Sequence, residues 1–317
     1  MKSEFRNATL MFYPSGNPKL RLFALVYFCS LLIIWTVLGH TVLGFEQAWA
    51  HPVLGVAAAA AVHFMLEWVH AWSQGRRVRW AGGTRAFLMF LPPAIIPGLA
   101  CAMLIYPNQR IMPVVFAAAL SIASKVVFRA PVGAGLTQHI FNPSNFGITV
   151  TLLLMPHVGL APPYQFTENI TGIWDWALPL ILLATGIFLH GVATGRLPLV
   201  LAWLAGFAAQ GLLRAAIFGV PWLVPFVPMT SAAFILFTLY MIPDPATTPL
   251  EPKRQIVFGL AVAAVYGMLF VFHVVFGLFI ALFAVCAVRG LGLYLTKPSS
   301  ALEPQVARAA RTEAVPA

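Results

Sequence analysis

Apolar runs of about 20 residues recur along nearly the whole chain, and they constrain the fold more than any other feature. The runs cover residues 22–43, 52–73, 86–106, 111–128, 143–161, 176–194, 197–218, 223–242, 255–274 and 276–295. Each is close to the length that a helix needs to cross the hydrocarbon core of a bilayer. The sequence therefore predicts an all-α, polytopic membrane protein of about ten transmembrane helices joined by short loops.

The composition indicates the same class of protein. Of the 317 residues, 60% are hydrophobic and only 9% are charged, whereas soluble domains carry about 25% charged residues. We expect a polar N-terminal segment at 1–21, a single transmembrane domain at 22–295 and a disordered, cytoplasmic tail at 296–317.

The positions of the basic residues predict the orientation of the chain. Nearly all of the 19 Lys and Arg residues fall on one side of the ten-span arrangement, and only Arg110 and Arg214 fall on the other. Cytoplasmic loops of membrane proteins are enriched in Lys and Arg. We therefore expect a protein of the cytoplasmic (inner) membrane with both termini in the cytoplasm. The same distribution explains the net charge of +10, so this charge does not indicate binding to nucleic acid. The expected partner is membrane lipid.

Two polar interruptions stand out from this apolar background, at residues 138–147 and 240–249. Their Pro, Gly and Asn residues cannot continue a regular helix without freeing backbone N–H and C=O groups. In a bilayer such groups must be paired inside the protein or line a cavity. The polar side chains of the two interruptions form the candidate ligand pocket: His139, Asn142, Ser144, Asn145, Asp244, Thr247 and Thr248.

The interruptions also have a simpler interpretation. Asn, Asp and Ser cap helix N-termini, and Pro suits the first helical turn, so both stretches could serve only as turns. Asn142-Pro143-Ser144 and Asp244-Pro245-Ala246 share a pattern that is compatible with two five-helix repeats containing broken helices. The ten-span topology, however, places both on the cytoplasmic side, whereas an inverted repeat would place them on opposite sides. The repeat therefore stays open.

A polar trio in the second apolar run is the other candidate site. His63, Glu67 and His70 fall on one face of a helix. Glu67 is the one carboxylate placed well inside a predicted span, and ionisable groups there are costly enough to suggest a function. Proton or ion handling and structural pairing with Arg76 or Arg77 are both open. With a single carboxylate the trio is a weak metal candidate, and no metal site is predicted.

Several enzyme classes leave signatures that this sequence lacks. It has no clustered histidine motif of membrane hydroxylases, no Asp-rich motif for Mg²⁺-diphosphate chemistry and no Gly-rich nucleotide loop. The three cysteines are far apart in apolar runs, which suits core residues better than a redox pair.

The interruptions carry a resemblance to a known family. Residues 124–129 with 139–147, and residues 234–249, resemble the membrane family that includes the B subunit of the sodium-translocating NADH:quinone reductase and the D subunit of the Rnf electron-transport complex. Within that family, the stretches 44–47, 100–104 and 160–169 look closest to the integral membrane protein encoded in enediyne-type biosynthetic clusters. The resemblance spans residues 22–295 and implies a ten-helix fold.

The resemblance implies a redox accessory subunit of a membrane oxidoreductase, with redox partner subunits and a link to natural-product biosynthesis. The reductase subunits attach FMN through a threonine in an Asp-x-x-Ser/Thr-Gly-Ala-Ser/Thr sequence. The nearest stretch here, residues 229–233, has neither the Asp nor the Gly. We therefore expect a noncovalent flavin or a quinone rather than covalent FMN. The broken helices allow another function, a transporter or channel for a small molecule or ion, and a membrane anchor for partner enzymes is a third.

Overall fold

The computed structural model describes residues 18–133 and 136–295, and within them the chain is mainly helical, with only short strands. The helices are α1 Pro18–Leu38, α2 Ala50–Ser73, α3 Thr84–Phe90, α4 Pro92–Leu104, α5 Met112–Val127, α6 Pro143–Leu154, α7 Trp174–Phe188, α8 Leu197–Phe218, α9 Ala232–Leu236, α10 Pro252–Val271 and α11 Gly277–Leu295. The prediction for the tail at 296–317 and most of that for 1–21 lie outside the described residues.

Short irregular elements join these helices. The described residues include three π-helical segments, π1 Gly39–Leu43, π2 Leu189–Thr194 and π3 Phe237–Met241, together with 3₁₀ turns at Arg79–Ala81, Pro163–Phe166 and Val224–Thr230. Strand β1 Ile105–Tyr106 pairs antiparallel with β4 Gly159–Leu160, and β2 Arg129–Gly133 pairs antiparallel with β3 Leu136–His139.

Seven helical segments of the described chain are long and apolar enough to cross a membrane. They are Leu22–Leu43, Ala50–Ser73, Thr84–Leu104, Trp174–Thr194, Leu197–Phe218, Pro252–Val271 and Gly277–Leu295. The segments Val224–Thr230 and Ala232–Met241 meet at a bend of 75°. If this bent pair is one span, the described chain has up to eight such segments. The chain is therefore a multi-pass, all-α membrane protein, as the apolar runs predicted.

The other two predicted spans are shorter helices. α5 has 16 residues and α6 has 12. At 1.5 Å per residue, α6 is only about 18 Å long, against a hydrocarbon core of about 30 Å. α6 ends before Met155-Pro156, where the residue preceding a proline disfavours the helical conformation. Hydropathy alone marks 143–161 as one run and does not register this early end.

The described chain divides into two compact units. The N-terminal unit comprises Phe23–Val127 and Pro143–Leu178. The C-terminal unit comprises Phe128–Asn142 and the described chain from Pro179 onward, with the first turn of α1. The boundary at Asn142 falls inside the first polar interruption.

Glycines set the close helix contacts inside the N-terminal unit. α2 packs against α4 and α5, and α5 packs against α6. A Cβ on Gly98 of α4 would lie 2.8 Å from Val56 Cα of α2, and one on Gly147 of α6 would overlap the Ala117 carbonyl of α5. Such small residues let helices approach backbone to backbone, which stabilises helix pairs in membranes.

The C-terminal unit is organised around the packing of α8 on α10. A Cβ on Gly259 of α10 would lie 2.6 Å from the Leu199 carbonyl of α8. Trp203 and Phe207, both fully buried on α8, lie among the rings of Phe234 and Tyr266. This aromatic core holds α9 and π3 against α8.

Candidate functional site

The two polar interruptions are joined by a direct hydrogen bond inside the C-terminal unit. Residues 237–241 form π3, and a π-helical turn releases carbonyls from the regular helical pattern. Two of these carbonyls accept hydrogen bonds from side chains that are distant in sequence. The Asn142 Nδ2 group donates to the Met241 carbonyl at 3.0 Å, and the His190 Nε2 group donates to the Leu239 carbonyl. Asn142 of the first interruption is thereby fixed to the segment that begins the second, and we call this place the linked breaks.

Further polar side chains anchor π3 from the side. The Trp203 indole N–H donates to Thr238 Oγ1 at 3.0 Å. The Tyr240 hydroxyl lies 2.6 Å from Thr185 Oγ1 and donates to the Leu182 carbonyl at 3.1 Å. These bonds hold Thr238 and Tyr240, so the chain leaves π3 in a defined direction.

The Asp244 loop, residues 244–249, follows π3 and is held by Asp244 itself. One carboxylate oxygen accepts from the Ala246 N–H at 3.0 Å and the other from Thr247 Oγ1 at 3.1 Å. The Asp244 carbonyl accepts from the Thr248 hydroxyl at 2.7 Å. Asx and Ser/Thr turns of this kind replace the backbone bonds that a helix would supply. The turn interpretation of the second interruption therefore describes its local structure.

Two arginines of the C-terminal unit hold the same loop. Arg196 is fully buried, and it donates through Nε to Thr248 Oγ1 at 2.9 Å and through Nη2 to the Pro245 carbonyl at 3.2 Å. Arg289 donates through Nη1 to the Thr247 carbonyl at 2.9 Å. The two guanidinium groups and the single Asp244 carboxylate together carry net positive charge. A buried charge such as that of Arg196 is costly, which favours a role for it.

Arg289 also connects the loop to the β2–β3 hairpin. With the Gln138 amide oriented by its hydrogen bonds, its oxygen accepts from both terminal nitrogens of Arg289 at 3.0 Å. The Tyr294 hydroxyl, five residues further along α11, donates to the Arg129 carbonyl of β2. Burial lowers the pKa of the Arg129 guanidinium, which donates to the Thr137 carbonyl at 2.7 Å.

The structure brings four of the predicted pocket residues together at the linked breaks: Asn142, Asp244, Thr247 and Thr248. His139 belongs to the same unit but lies at the end of β3, in register with Arg129. Ser144 and Asn145 are buried in the first turn of α6, in the N-terminal unit. Whether these residues bind a ligand stays a prediction.

Neither the two arginines nor Gln138 were among the predicted members of the site. In the sequence, Arg196 and Arg289 counted only among the basic residues that predict the orientation of the chain. One signal was present, because Arg289 lies inside the last apolar run, 276–295, and a cation inside a span is as unusual as a carboxylate. No signal in the sequence marks Gln138, whose role depends on the pairing of the hairpin.

The polar trio of the N-terminal unit forms a buried ion-pair cluster. Only 1% of the Glu67 side chain is exposed. Glu67 accepts from Arg76 Nη1 at 2.6 Å, from Arg79 Nε at 2.7 Å and from the Arg79 backbone N–H at 2.9 Å. Arg76 Nη2 also donates to His70 Nδ1 at 2.6 Å. The pairing with Arg76 agrees with the structural interpretation, and the second partner is Arg79 instead of Arg77.

This cluster does not have the geometry of a metal site. The Glu67 oxygens face guanidinium groups, and the His63 ring stacks on Phe90 at 4.1 Å between centroids. Within residues 18–133 and 136–295, no three His, Cys, Asp or Glu side chains are placed to hold a metal ion.

The fold and the linked breaks define a multi-pass membrane protein with buried polar side chains at interrupted helices. In comparisons with known proteins, no protein-family model and no curated protein matches the chain. The family resemblance therefore depends on the segments quoted above, and two of those segments contain the linked breaks.

Proposed function

We propose that the protein is a membrane subunit that holds a small anionic cofactor or substrate at the linked breaks of the C-terminal unit. The observation that carries the proposal is a pair of guanidinium groups, those of the fully buried Arg196 and the half-buried Arg289, around a loop that contributes one carboxylate, Asp244. Guanidinium groups form strong charge-assisted hydrogen bonds to phosphate and carboxylate oxygens. The same region carries the resemblance to redox subunits.

A noncovalently bound flavin is the cofactor that this donor set fits. FMN carries a phosphate, an anion that guanidinium groups bind, whereas a quinone carries no charge. A bound flavin accepts and passes on electrons. In this role the chain would be a non-catalytic accessory subunit of a membrane oxidoreductase with redox partner subunits, and the link to enediyne-type biosynthesis belongs to the same proposal. Arg196 and Arg289 would bind the phosphate, and Asn142 would keep the loop in place.

In the proposed topology, the protein lies in the cytoplasmic (inner) membrane with ten membrane segments. Both termini are in the cytoplasm. α5 and α6 supply the two segments beyond the eight that length supports. The loop that contains Arg76, Arg77, Arg79 and Arg85 would then face the cytoplasm, as the positive-inside rule requires. Two five-helix repeats would accommodate this count.

Flavin binding tests the redox proposal. We expect detergent-purified protein to bind FMN, detected by absorbance and fluorescence after removal of free flavin, and to bind riboflavin at least 10-fold more weakly because riboflavin lacks the phosphate. Arg289→Gln should weaken FMN binding at least 10-fold. Arg254→Gln is the matched control, since Arg254 is 56% exposed and forms its ion pair with Glu251, the residue that precedes α10. No FMN binding, or equal binding of both flavins, would contradict the proposal.

Transport is the second candidate, and the 75° bend between Val224–Thr230 and Ala232–Met241 favours it. Transporters place substrate at interrupted helices, where the ends of half-helices face the bound molecule. A colourless protein that moves an anionic solute into vesicles would establish transport and exclude the redox role. In that case Arg289→Gln should reduce the flux while Arg254→Gln leaves it unchanged.

A further inference from the structure

Two buried glutamines of the N-terminal unit present amide oxygens that have no hydrogen-bond partner among the described residues. Gln165 is 0% exposed and Gln47 is 5% exposed. Gln165 Nε2 donates to the Met103 carbonyl at 3.3 Å, and Gln47 Nε2 donates to the Ile105 carbonyl at 3.5 Å. Both Oε1 atoms are buried and unpartnered. An unpaired buried acceptor is costly, so each of these two oxygens calls for a hydrogen-bond donor.

The sequence explains why the Gln165 amide is anchored on the last turn of α4, and the Gln47 amide binds the carbonyl of the residue that follows this helix. The Met103 carbonyl would normally accept from the residue four positions on, but that residue is Pro107, which has no N–H. The Leu104 carbonyl accepts instead from the Ala161 N–H at 2.9 Å. The two glutamines therefore meet the C-terminal end of a helix, which carries partial negative charge.

A third unpartnered acceptor lies in π1. His40 Nδ1 is 2.8 Å from the Thr36 carbonyl and must donate to it, so Nε2 of the neutral ring is an acceptor. This Nε2 atom is buried without a partner among the described residues. The His40 ring lies 4.5 Å from Trp49 and 5.5 Å from Phe45, and Phe45 contacts Phe166 edge-on at 5.0 Å. Phe166 is the residue next to the fully buried glutamine.

Two carboxylates lie on the exposed side of the region that contains the glutamines and His40. Glu46 and Glu168 are exposed, and each is within three residues of one of the glutamines. The Tyr106 hydroxyl donates to Glu46 Oε2 at 2.5 Å. This hydrogen bond is the main cause of a raised pKa of Tyr106, and both carboxylates add to it. The rim of the region is therefore negative.

We propose that Gln47, Gln165 and His40, the acceptor cluster, bind a small cation that carries N–H donors, ammonium or a primary amine. Each lone pair needs a donor, the carboxylate rim and the helix end attract positive charge, and neighbouring aromatic rings accommodate an ammonium group. The proposal lies in the N-terminal unit and does not depend on the proposed function of the linked breaks.

Thermal unfolding of the full-length protein in detergent tests the cation. We compare ammonium, methylammonium, tetramethylammonium and sodium chlorides at equal ionic strength. Ammonium and methylammonium should raise Tm by about 3 °C or more at saturation, because a ligand bound only by the folded state stabilises it. Tetramethylammonium, which has no N–H, and sodium should not. An equal shift with sodium would overturn the assignment to an N–H donor, and no shift with any cation would overturn the site.

Three variants locate the effect. Gln165→Leu and His40→Phe should each abolish the ammonium shift, and His40→Phe keeps the ring packing if Gln165→Leu does not fold. Gln255→Leu is the matched control, because Gln255 is likewise buried, at 1% exposed, donates to backbone carbonyls and has an oxygen with no partner in the described part of the chain, but lies in the C-terminal unit. It should lower Tm and retain the shift. An ammonium shift that survives in His40→Phe would refute the proposed cluster.

Discussion

Asn142 donates a hydrogen bond to the carbonyl of Met241 at 3.0 Å, across 99 residues of chain. The two residues come from the two places where the sequence breaks its apolar pattern. Asn142 is 6% exposed and Met241 is 4% exposed, so the bond is shielded from water. A buried backbone carbonyl in π3 depends on this side chain for its pairing.

Asn142→Leu should therefore destabilise the protein by about 1–3 kcal/mol, the cost of a buried acceptor left without its partner. Thermal unfolding in detergent measures the change. Gln74→Leu replaces an exposed amide by the same apolar side chain and should change stability by no more than about 0.5 kcal/mol. If the two variants unfold alike, the Asn142–Met241 bond does not stabilise the linked breaks.

The buried pairing of Glu67 gives a second prediction. Glu67→Gln leaves Arg76 and Arg79 without their carboxylate, and breaking a buried pair costs about 3–5 kcal/mol. The loss should be smaller here, about 2 kcal/mol, because the two arginine side chains are 31% and 59% exposed and remain partly hydrated.

The control for this change is Glu251→Gln, at a carboxylate that is 46% exposed and pairs with Arg254. It should cost no more than about 0.5 kcal/mol, since exposed ion pairs contribute little. A thermal unfolding experiment on both variants gives the comparison. Equal losses would mean that Glu67 is not the centre of a buried cluster.

The sequence predicted the membrane class and the seven long apolar helices, because the length of an apolar run follows directly from bilayer thickness. Of the other three predicted spans, two are the shorter helices α5 and α6 and one is bent by 75°. It did not predict the π-helical segments. The carbonyls of π3 are satisfied by Asn142 and His190, and such partners, distant in sequence, cannot be read from local propensity. The second partner of Glu67 was missed for a related reason, since a 3₁₀ turn at Arg79–Ala81 places both the N–H and the side chain of Arg79 on the carboxylate.

Arg289 gives a third prediction, on the local stability of the Asp244 loop. A lysine at this position could not contact both Gln138 and the Thr247 carbonyl as the planar guanidinium does. Arg289→Lys should therefore increase local opening by about 1–2 kcal/mol, a factor of about 5–30 in the exchange rate of the Thr247 and Thr248 amide hydrogens.

Hydrogen exchange followed by mass spectrometry measures that rate for peptides covering the loop. Both amides donate to the Asp244 carbonyl, so they report directly on whether the turn is closed. Arg254→Lys, on the exposed start of α10, should leave the exchange unchanged. Unchanged exchange in Arg289→Lys would show that the turn holds itself without the arginine.

The contact between α5 and α6 gives the last prediction. A Cβ added at Gly147 would overlap the Ala117 carbonyl and Ser121 Oγ, and the backbone of α5 cannot move aside as a flexible side chain could. Gly147→Ala should therefore cost about 1–3 kcal/mol through overpacking. Gly292→Ala is the control within a helix, because a Cβ there meets nothing within 4 Å. It should be neutral or stabilise the protein by up to about 1 kcal/mol, since alanine favours helix more than glycine does. A Gly147→Ala protein that unfolds at the same temperature as Gly292→Ala would mean that α6 does not pack against α5 at this distance.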